Sequence, residues 1–360
     1  MPEMPVINSA EAVRQALDEA LGRWPETFIV GEGAADPTAI FGTVKGLPEK
    51  YGRHRVLEMP IAENGLTGIV IGAAMVGQRP IMVHQRVDFA LLSLEQLFNN
   101  AAKTHYASSG AHKVPIVIRM IIGRGWGQGP AHSQSLETMF AMVPGLKVVM
   151  PTTPSDFKGL LLGAIQDDNP VIFLEHRWCH YVTGEVEENM EPIPLDGPVL
   201  IHPGDAATIV ATSYMTLEAR RAVDLLQAHG VHCDLFDLRV LRPLKLDGIV
   251  DSVHRTGRLL TLDTGNRQFG MGAEIAASVV EQAFGALKAA PVRLGLPDHP
   301  TPSSKSLAAD FYPTAIEVTN ALQGLIGFSD EIAQSVRDSI TAAKADLSSD
   351  QPDPAFKGPF

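Results

Sequence analysis

The chain has 360 residues, of which 45% are hydrophobic and 19% charged, and its formal net charge at pH 7 is -12. This length and composition predict a globular protein of about two domains, and the acidic balance argues against nucleic acid or an anionic membrane as the main partner. The two cysteines are too few for a disulfide scaffold and fit a reducing compartment, and the long apolar stretches are interrupted by Gly, Pro or charge. We therefore expect a cytoplasmic protein without a transmembrane span.

The first half of the chain alternates strand patterns with helix patterns. Short apolar runs bounded by turn residues predict strands, and apolar residues at helical spacing predict helices. In chain order we predict a helix at 10–21, strands at 27–30 and 55–58, a helix that starts at 63, a strand at 80–83, a helix at 93–106, strands at 115–119 and 146–150, a helix at 154–166 and a strand at 171–174. This alternation predicts a mostly parallel sheet with helices on both faces.

A second alternation follows a stretch rich in Glu and Pro. We predict strands at 208–211, 233–237, 258–262 and 291–294, and helices at 217–229, 246–256, 271–284, 313–326 and 331–347. The predicted fold is thus α/β, with two doubly wound domains. We place them at 1–185 and 206–328, joined by a linker at 186–205 and followed by a helical and Pro-rich extension at 329–360.

One acid stands out against its surroundings. Glu63 opens an almost wholly apolar helix that is rich in small residues, such as Gly65, Gly68 and Gly72. Since an unpaired buried charge is costly, such an acid either pairs structurally or takes part in proton chemistry. A helix-start carboxylate stabilised by the helix dipole is the alternative.

Several segments in this order resemble the β subunit of a thiamine-diphosphate-dependent 2-oxo acid dehydrogenase, the decarboxylating first component. The resemblance covers roughly residues 5–325, and the segments together are specific although each alone is weak. They are Pro60-Ile-Ala-Glu-Asn-Gly65, Gly129-Pro-Ala-His-Ser-Gln-Ser135, Pro144–Pro151 with Thr153–Gly159, Asp237-Leu-Arg239 with Arg242-Pro-Leu244, and Gly270–Ile275. The resemblance implies a transketolase-like pyrimidine-binding domain followed by a transketolase carboxy-terminal domain.

The resemblance also implies roles for four residues. Glu63 would hydrogen-bond N1′ of the aminopyrimidine and so promote loss of the thiazolium proton, and Phe89 would lie against the same ring. Glu32 matches an acid near the cofactor, and His132 matches a channel histidine that assists proton or acyl transfer. From the residues alone, an ordinary core Phe, a solvated loop carboxylate and a backbone-bonded loop histidine remain open for the last three.

The chain lacks the part that holds the cofactor's diphosphate in this class. That part is a Gly-Asp-Gly motif with a later Asn, which binds Mg²⁺, whereas this chain has only Gly204-Asp-Ala206. We therefore expect an α subunit to hold the Mg²⁺ and diphosphate in a heterotetramer, with a small 2-oxo acid as the substrate. A lipoyl acyltransferase is a further partner that the resemblance implies.

The resemblance further places a structural monovalent cation, such as K⁺, at Ala164, Asp167 and Asn169. A solvated helix end rich in Asp and Asn is the alternative for this segment. No Cys/His cluster of the metal-binding type is present in the sequence.

Three residues of the expected channel depart from the family pattern. Arg86 lies in Val83–Phe89, where an acidic and aromatic run is usual, and Arg124 and Trp126 lie in Met120–Trp126, where a proline and consecutive glycines are usual. Our hypothesis is that Arg86 or Arg124 meets a second anionic group on the substrate. A surface or interface salt bridge is the alternative.

Two other functions remain open at this point. One is the carboxy-terminal half of a split transketolase or another carboligase, which would transfer a two-carbon unit to an aldehyde. The other is a non-catalytic scaffold for an α subunit, against which the presence of both Glu63 and His132 argues.

Overall fold

The computed structural model describes residues 4–36, 38–124, 127–345, 347, 351 and 356. Within these residues the chain divides into two compact units, one of residues 4–122 with 131–195 and one of residues 123–130 with 196–345. Each unit has its own sheet.

The first unit alternates strands and helices. Its strands are β1 Val6–Asn8, β2 Thr27–Gly31, β3 Val56–Glu58, β4 Arg79–His84, β5 Val117–Ile122, β6 Lys147–Val149, β7 Val171–His176 and β8 Thr183–Glu185. Its α-helices are α1 Ser9–Arg23, α2 Leu47–Tyr51, α3 Glu63–Met75, α4 Val87–Ala90, α5 Ala102–Ala107, α6 Glu137–Ala141 and α7 Pro154–Gln166. A π-helical segment, Gln96–Ala101, precedes α5, so the helix predicted at 93–106 is not a regular α-helix.

Six strands of this unit run parallel in the order β6-β7-β5-β4-β2-β3. Every residue of β5 and β7 is buried, as expected for central strands with both faces covered. Because the strands are parallel, the segments that follow β2, β3 and β4 leave the sheet at the same edge. Those segments carry Glu32, Glu63 and Arg86 respectively.

The second unit repeats this architecture with fewer strands. Its strands are β9 Val199–His202, β10 Thr208–Ala211, β11 Asp234–Asp237, β12 Val240–Arg242, β13 Leu259–Asn266 and β14 Val292–Leu296. Its helices are α8 Tyr214–Gln227, α9 Asp247–Thr256, α10 Met271–Ala283, α11 Lys305–Ala308, α12 Ala315–Ile326 and α13 Asp330–Ala343. Five strands form a sheet in the order β14-β13-β10-β11-β9, in which only the β11–β9 pair is antiparallel.

Two short strands lie where the sequence shows no regular pattern. β8 pairs with β1, and β9 forms the edge of the second sheet, although β9 falls within the segment that we assign to the linker. Edge strands of three or four residues lack the apolar continuity of central strands, because one side faces solvent. Composition alone therefore gives little sign of them.

The helix of the carboxy-terminal extension packs on the second unit. Val336 and Ile340 of α13 are 1% and 4% exposed and belong to the apolar core that α8 and α12 share. Lys344, just after α13, pairs with the buried Glu218 of α8 at 3.5 Å. The helix is therefore part of this unit's core.

Candidate active site

Glu63 is the first residue of α3 and is only 5% exposed. Its carboxylate forms no hydrogen bond or ion pair with any other described residue. The N-terminal end of α3 favours a negative charge at this position, but that effect is small compared with the cost of full burial. The acid is therefore held at a helix start without a protein cation beside it in the described chain.

The backbone of the Glu63 turn is anchored to the segment that follows α4. Thr67 Oγ1 donates to the Glu63 carbonyl oxygen at 2.7 Å and lies 2.9 Å from Ser93 Oγ. Asn64 Nδ2 donates to the Leu92 carbonyl oxygen at 3.0 Å. These bonds fix α3 relative to the segment that carries Phe89.

Glu32 follows β2 and lies within electrostatic reach of Glu63. Burial raises the pKa of Glu32, and the negative charges of Glu63 and Glu58 raise it further. Its Oε1 atom is buried and has no hydrogen-bond partner among the described residues. Two acids with interacting charges are a typical arrangement for holding a proton at an active site.

Phe89 and His132 form an aromatic pair. Their ring centroids are 5.2 Å apart and the planes are inclined by 83°, an edge-to-face contact. Phe89 is 38% exposed, so it is not an ordinary core phenylalanine. Gln134 Nε2 donates to Asp88 Oδ1 at 2.7 Å and links the His132 segment to α4.

The structure buries both arginines of the expected channel. Arg86 is 3% exposed and its guanidinium lies 5.9 Å from the Phe41 ring centroid, where Arg177 also lies, at 4.4 Å. Arg124, in the second unit, is 1% exposed and lies 6.0 Å from the Tyr312 ring. Trp126 lies outside the described residues.

A buried ionic group in the first sheet was not predicted from the sequence. Arg119 of β5 pairs with Glu175 of β7 through two bonds of 2.5 and 2.9 Å, and His180 lies 3.0 Å from the same carboxylate. Burial alone would raise the pKa of Glu175, but Arg119 and His180 lower it to about 2. A charged residue within each of two mainly apolar strands was the available signal.

The oxygens of the expected cation site have positively charged side chains as neighbours. Asp167 Oδ1 accepts from the backbone N–H and the side-chain amide of Asn169, both at 2.9 Å, and Asp167 also pairs with Lys147. Arg79 donates to the Asp167 carbonyl oxygen at 3.1 Å, and the Ala164 carbonyl accepts from Asp167 N at 3.3 Å. The monovalent cation stays a prediction, and its site would compete with these donors.

Two general features bear on ligands and membranes. Within the described ranges, no group of three or more His, Cys, Asp or Glu side chains is arranged to hold a metal ion. None of the described helices combines the length and apolar character that a transmembrane span requires.

Two family models match this chain in succession. Residues 6–179 match the pyrimidine-binding domain of transketolase, and residues 198–318 match the transketolase carboxy-terminal domain. A solved structure described as a split gene transketolase, inactive beta4 tetramer, shares the fold with a TM-score of 0.70, at 22% identity over 89% of this chain and 98% of that one. The predicted two-domain α/β fold is confirmed.

Curated relatives narrow the family. The chain is 38% identical over 317 residues to the pyruvate dehydrogenase E1 component subunit beta of Rickettsia bellii, covering 88% of this chain and 98% of the relative. It is 37% identical to the mitochondrial pyruvate dehydrogenase E1 component subunit beta of Rattus norvegicus, covering 87% of this chain and 89% of the relative. It is also 37% identical to the beta subunit of acetoin:2,6-dichlorophenolindophenol oxidoreductase from Cupriavidus necator, with 86% and 94% covered. The chain belongs to the family of thiamine-diphosphate-dependent 2-oxo acid dehydrogenase β subunits.

Proposed function

We propose that this chain is the β subunit of a 2-oxo acid dehydrogenase-type decarboxylase whose active site is completed by an α subunit. The observation that carries the proposal is Glu63, a buried acid with no partner among the described residues and with Glu32 in electrostatic reach. This is the environment needed by a carboxyl that shares a proton with a heterocyclic nitrogen.

The residues present fit one half of thiamine diphosphate. Glu63 would hold the aminopyrimidine at N1′, Phe89 would offer its partly exposed ring, and Glu32 would lie close by. When bound, the cofactor supplies the nucleophilic carbon and the electron sink for decarboxylation. His132, in contact with Phe89, would hold or release a proton at the substrate side.

An exposed apolar stripe on α3 supports a partner chain. Ile69 is 65% exposed and lies on one face of α3 with Gly65 and Gly72, and Ile61 and Val76, which are 83% and 80% exposed, flank the two ends of the helix. A Cβ atom at either glycine would meet nothing within 4 Å, so another backbone has room to approach closely. Since this stripe begins beside Glu63, we infer that it contacts the α subunit that holds Mg²⁺ and the diphosphate.

Two finer parts of the proposal concern the substrate and its acceptor. We infer that Arg86 binds an anionic group of the 2-oxo acid, because its guanidinium is buried at the carboxyl edge of the sheet. We further infer that the acyl group passes to a lipoyl acyltransferase, since the relatives are named as dehydrogenase components. A cytoplasmic location is supported by the buried thiols of Cys179 and Cys233.

The test is titration of thiamine diphosphate with Mg²⁺ into this chain, into the α-type chain of the same source, and into their mixture. We expect tight binding and decarboxylation only in the mixture. Glu63→Gln in the mixture should lower kcat by about 10²- to 10⁴-fold, the usual contribution of a positioned acid–base group.

The exposed Glu49→Gln is the matched control, because Glu49 lies on α2 of the same unit. Tight binding by this chain alone would contradict the shared site. Unchanged turnover in Glu63→Gln would favour a scaffold role instead.

A further inference from the structure

The loop that follows β2 is held by a carboxylate from the neighbouring strand. Glu58, the last residue of β3, accepts the backbone N–H of Gly33 at 2.7 Å through Oε1 and that of Ala35 at 2.9 Å through Oε2. Gly31 and Glu58 are partners in the parallel β2–β3 register, so both strands end at the same level. Both oxygens of Glu58 are thus committed to the loop that begins with Glu32.

A second anchor holds the same loop from the β4 side. Gln85 Nε2 donates to the Glu32 carbonyl oxygen at 2.6 Å. Gly33 has φ +72°, and a Cβ atom there would collide with Gln85 Nε2. Since L residues rarely adopt that conformation and the space is filled, Gly33 is required at this position. The backbone on either side of the Glu32 side chain is therefore fixed.

The side chain on this fixed backbone interacts electrostatically with Glu63. The charges of Glu63 and Glu58 both act on Glu32, and Glu32 Oε1 is buried without a partner among the described residues. Bringing a third carboxylate near two others is unfavourable, and the two N–H donors to Glu58 offset part of that cost. An arrangement that brings acids together against their repulsion points to a use at the active site.

We propose that Glu58 is a positioning residue, which together with Gln85 holds Glu32 against Glu63. The proposal rests on the proposed function in that Glu63 is the acid of the active site. Glu58 itself contacts only backbone among these groups, so it acts through Glu32.

The first test measures the Glu32–Glu63 interaction in the full chain without cofactor or partner. Infrared titration gives the midpoint of the Glu32 carboxyl, assigned as the band that Glu32→Gln removes. Glu63→Gln should lower this midpoint, because it removes a negative charge. In a Glu58→Gln background the same change should have a smaller effect, because one N–H donor of the loop then faces an amide NH₂ and the loop is released.

An undiminished effect of Glu63→Gln in the Glu58→Gln background would overturn the proposal. Gly33→Ala, which disturbs the same loop without removing a charge, should also diminish the effect of Glu63→Gln on the Glu32 midpoint. Glu49→Gln should leave that effect unchanged. Variants are compared only after circular dichroism shows native secondary structure, and Gly33→Ala keeps the proposal testable if Glu58→Gln fails to fold.

The second test uses the complex of this chain with the α-type chain. Glu58→Gln should lower kcat by up to about 100-fold, the scale of a misplaced catalytic group, and should displace the pH profile of kcat. A purely structural loss would lower the amount of active complex without displacing the profile, and that result would contradict the proposal. Because the infrared experiment needs neither cofactor nor partner, failure of the proposed function leaves its result intact and distinguishable.

Discussion

The rings of Phe89 and His132 meet edge to face with centroids 5.2 Å apart, although the residues are 43 positions apart in the chain. The partly exposed Phe89 ring and the imidazole thus share one location, beside the segment that is bonded to the Glu63 helix. An aromatic ring and an imidazole from distant parts of the chain are brought together by the fold.

Phe89→Ala should weaken thiamine diphosphate binding in the α–β complex by roughly 0.5–1.5 kcal/mol beyond the loss of buried area, the usual value of an aromatic contact. It should also change the chemical shifts of the His132 ring, which loses its edge-to-face neighbour. Calorimetric titration of the cofactor measures the first effect, and the NMR chemical shifts of the His132 ring protons measure the second. Tyr106→Ala, at a residue of the same unit that is 91% exposed, is the control. Equal effects of Phe89→Ala and Tyr106→Ala would contradict the proposed role of Phe89 in cofactor binding.

Arg86→Ala should raise the Michaelis constant for 2-oxo acids with a second anionic group more than for those with a neutral side chain. A lost charge-assisted hydrogen bond is worth about 1.5–3 kcal/mol, or roughly a 10- to 150-fold change in kcat/KM. Steady-state kinetics with matched substrate pairs gives the measurement, and the exposed Arg53→Ala serves as the control. An equal loss with both substrate types would assign Arg86 to structure.

Glu175→Gln should lower the free energy of unfolding by about 3–5 kcal/mol, because it leaves the buried Arg119 charge without its carboxylate. Replacing both partners together, with Arg119→Met and Glu175→Leu, should cost much less, since no unpaired charge remains. Urea denaturation of the wild type, the Arg119→Met and Glu175→Leu single variants and the double variant that combines them gives the coupling energy. Additive losses in the double variant would show that the pair does not act as a unit.

His84 should make the protein less stable as the pH falls from about 6.5 towards 4. Burial lowers its pKa from 6.5 to about 4, so the unfolded chain binds a proton in this window that the folded chain does not. The contribution of His84 to the free energy of unfolding is therefore fully present above pH 6.5. It declines below that pH as protons bind the unfolded state. His176, whose pKa burial lowers to about 3, acts in the same direction.

Denaturant midpoints measured from pH 7.5 to 4 give the number of protons taken up on unfolding. His84→Phe should reduce that number by about one. An unchanged slope in His84→Phe would show that His84 is not held neutral in the folded protein.

The sequence by itself determined the parts of the fold that depend on local periodicity. The helix at 154–166 lies at its predicted bounds, and the apolar helix begins at Glu63 as expected, because spacing, caps and turn residues specify such elements locally. The motifs around Glu63 and His132 also identified the family, which the relatives confirm. The short edge strand β9, within the expected linker, and the π-helical segment at 96–101 carry no comparable local pattern.

Only the tertiary structure decided which groups act on one another. Glu58 and Gln85 look like ordinary strand-end residues in the sequence, yet both bond to the loop that holds Glu32. Arg86 and Arg124 could have been surface residues by composition, but both are buried. Contacts between distant segments depend on strand order and parallel register, which place the carboxyl ends of β2, β3 and β4 at one edge, and no local pattern encodes that order.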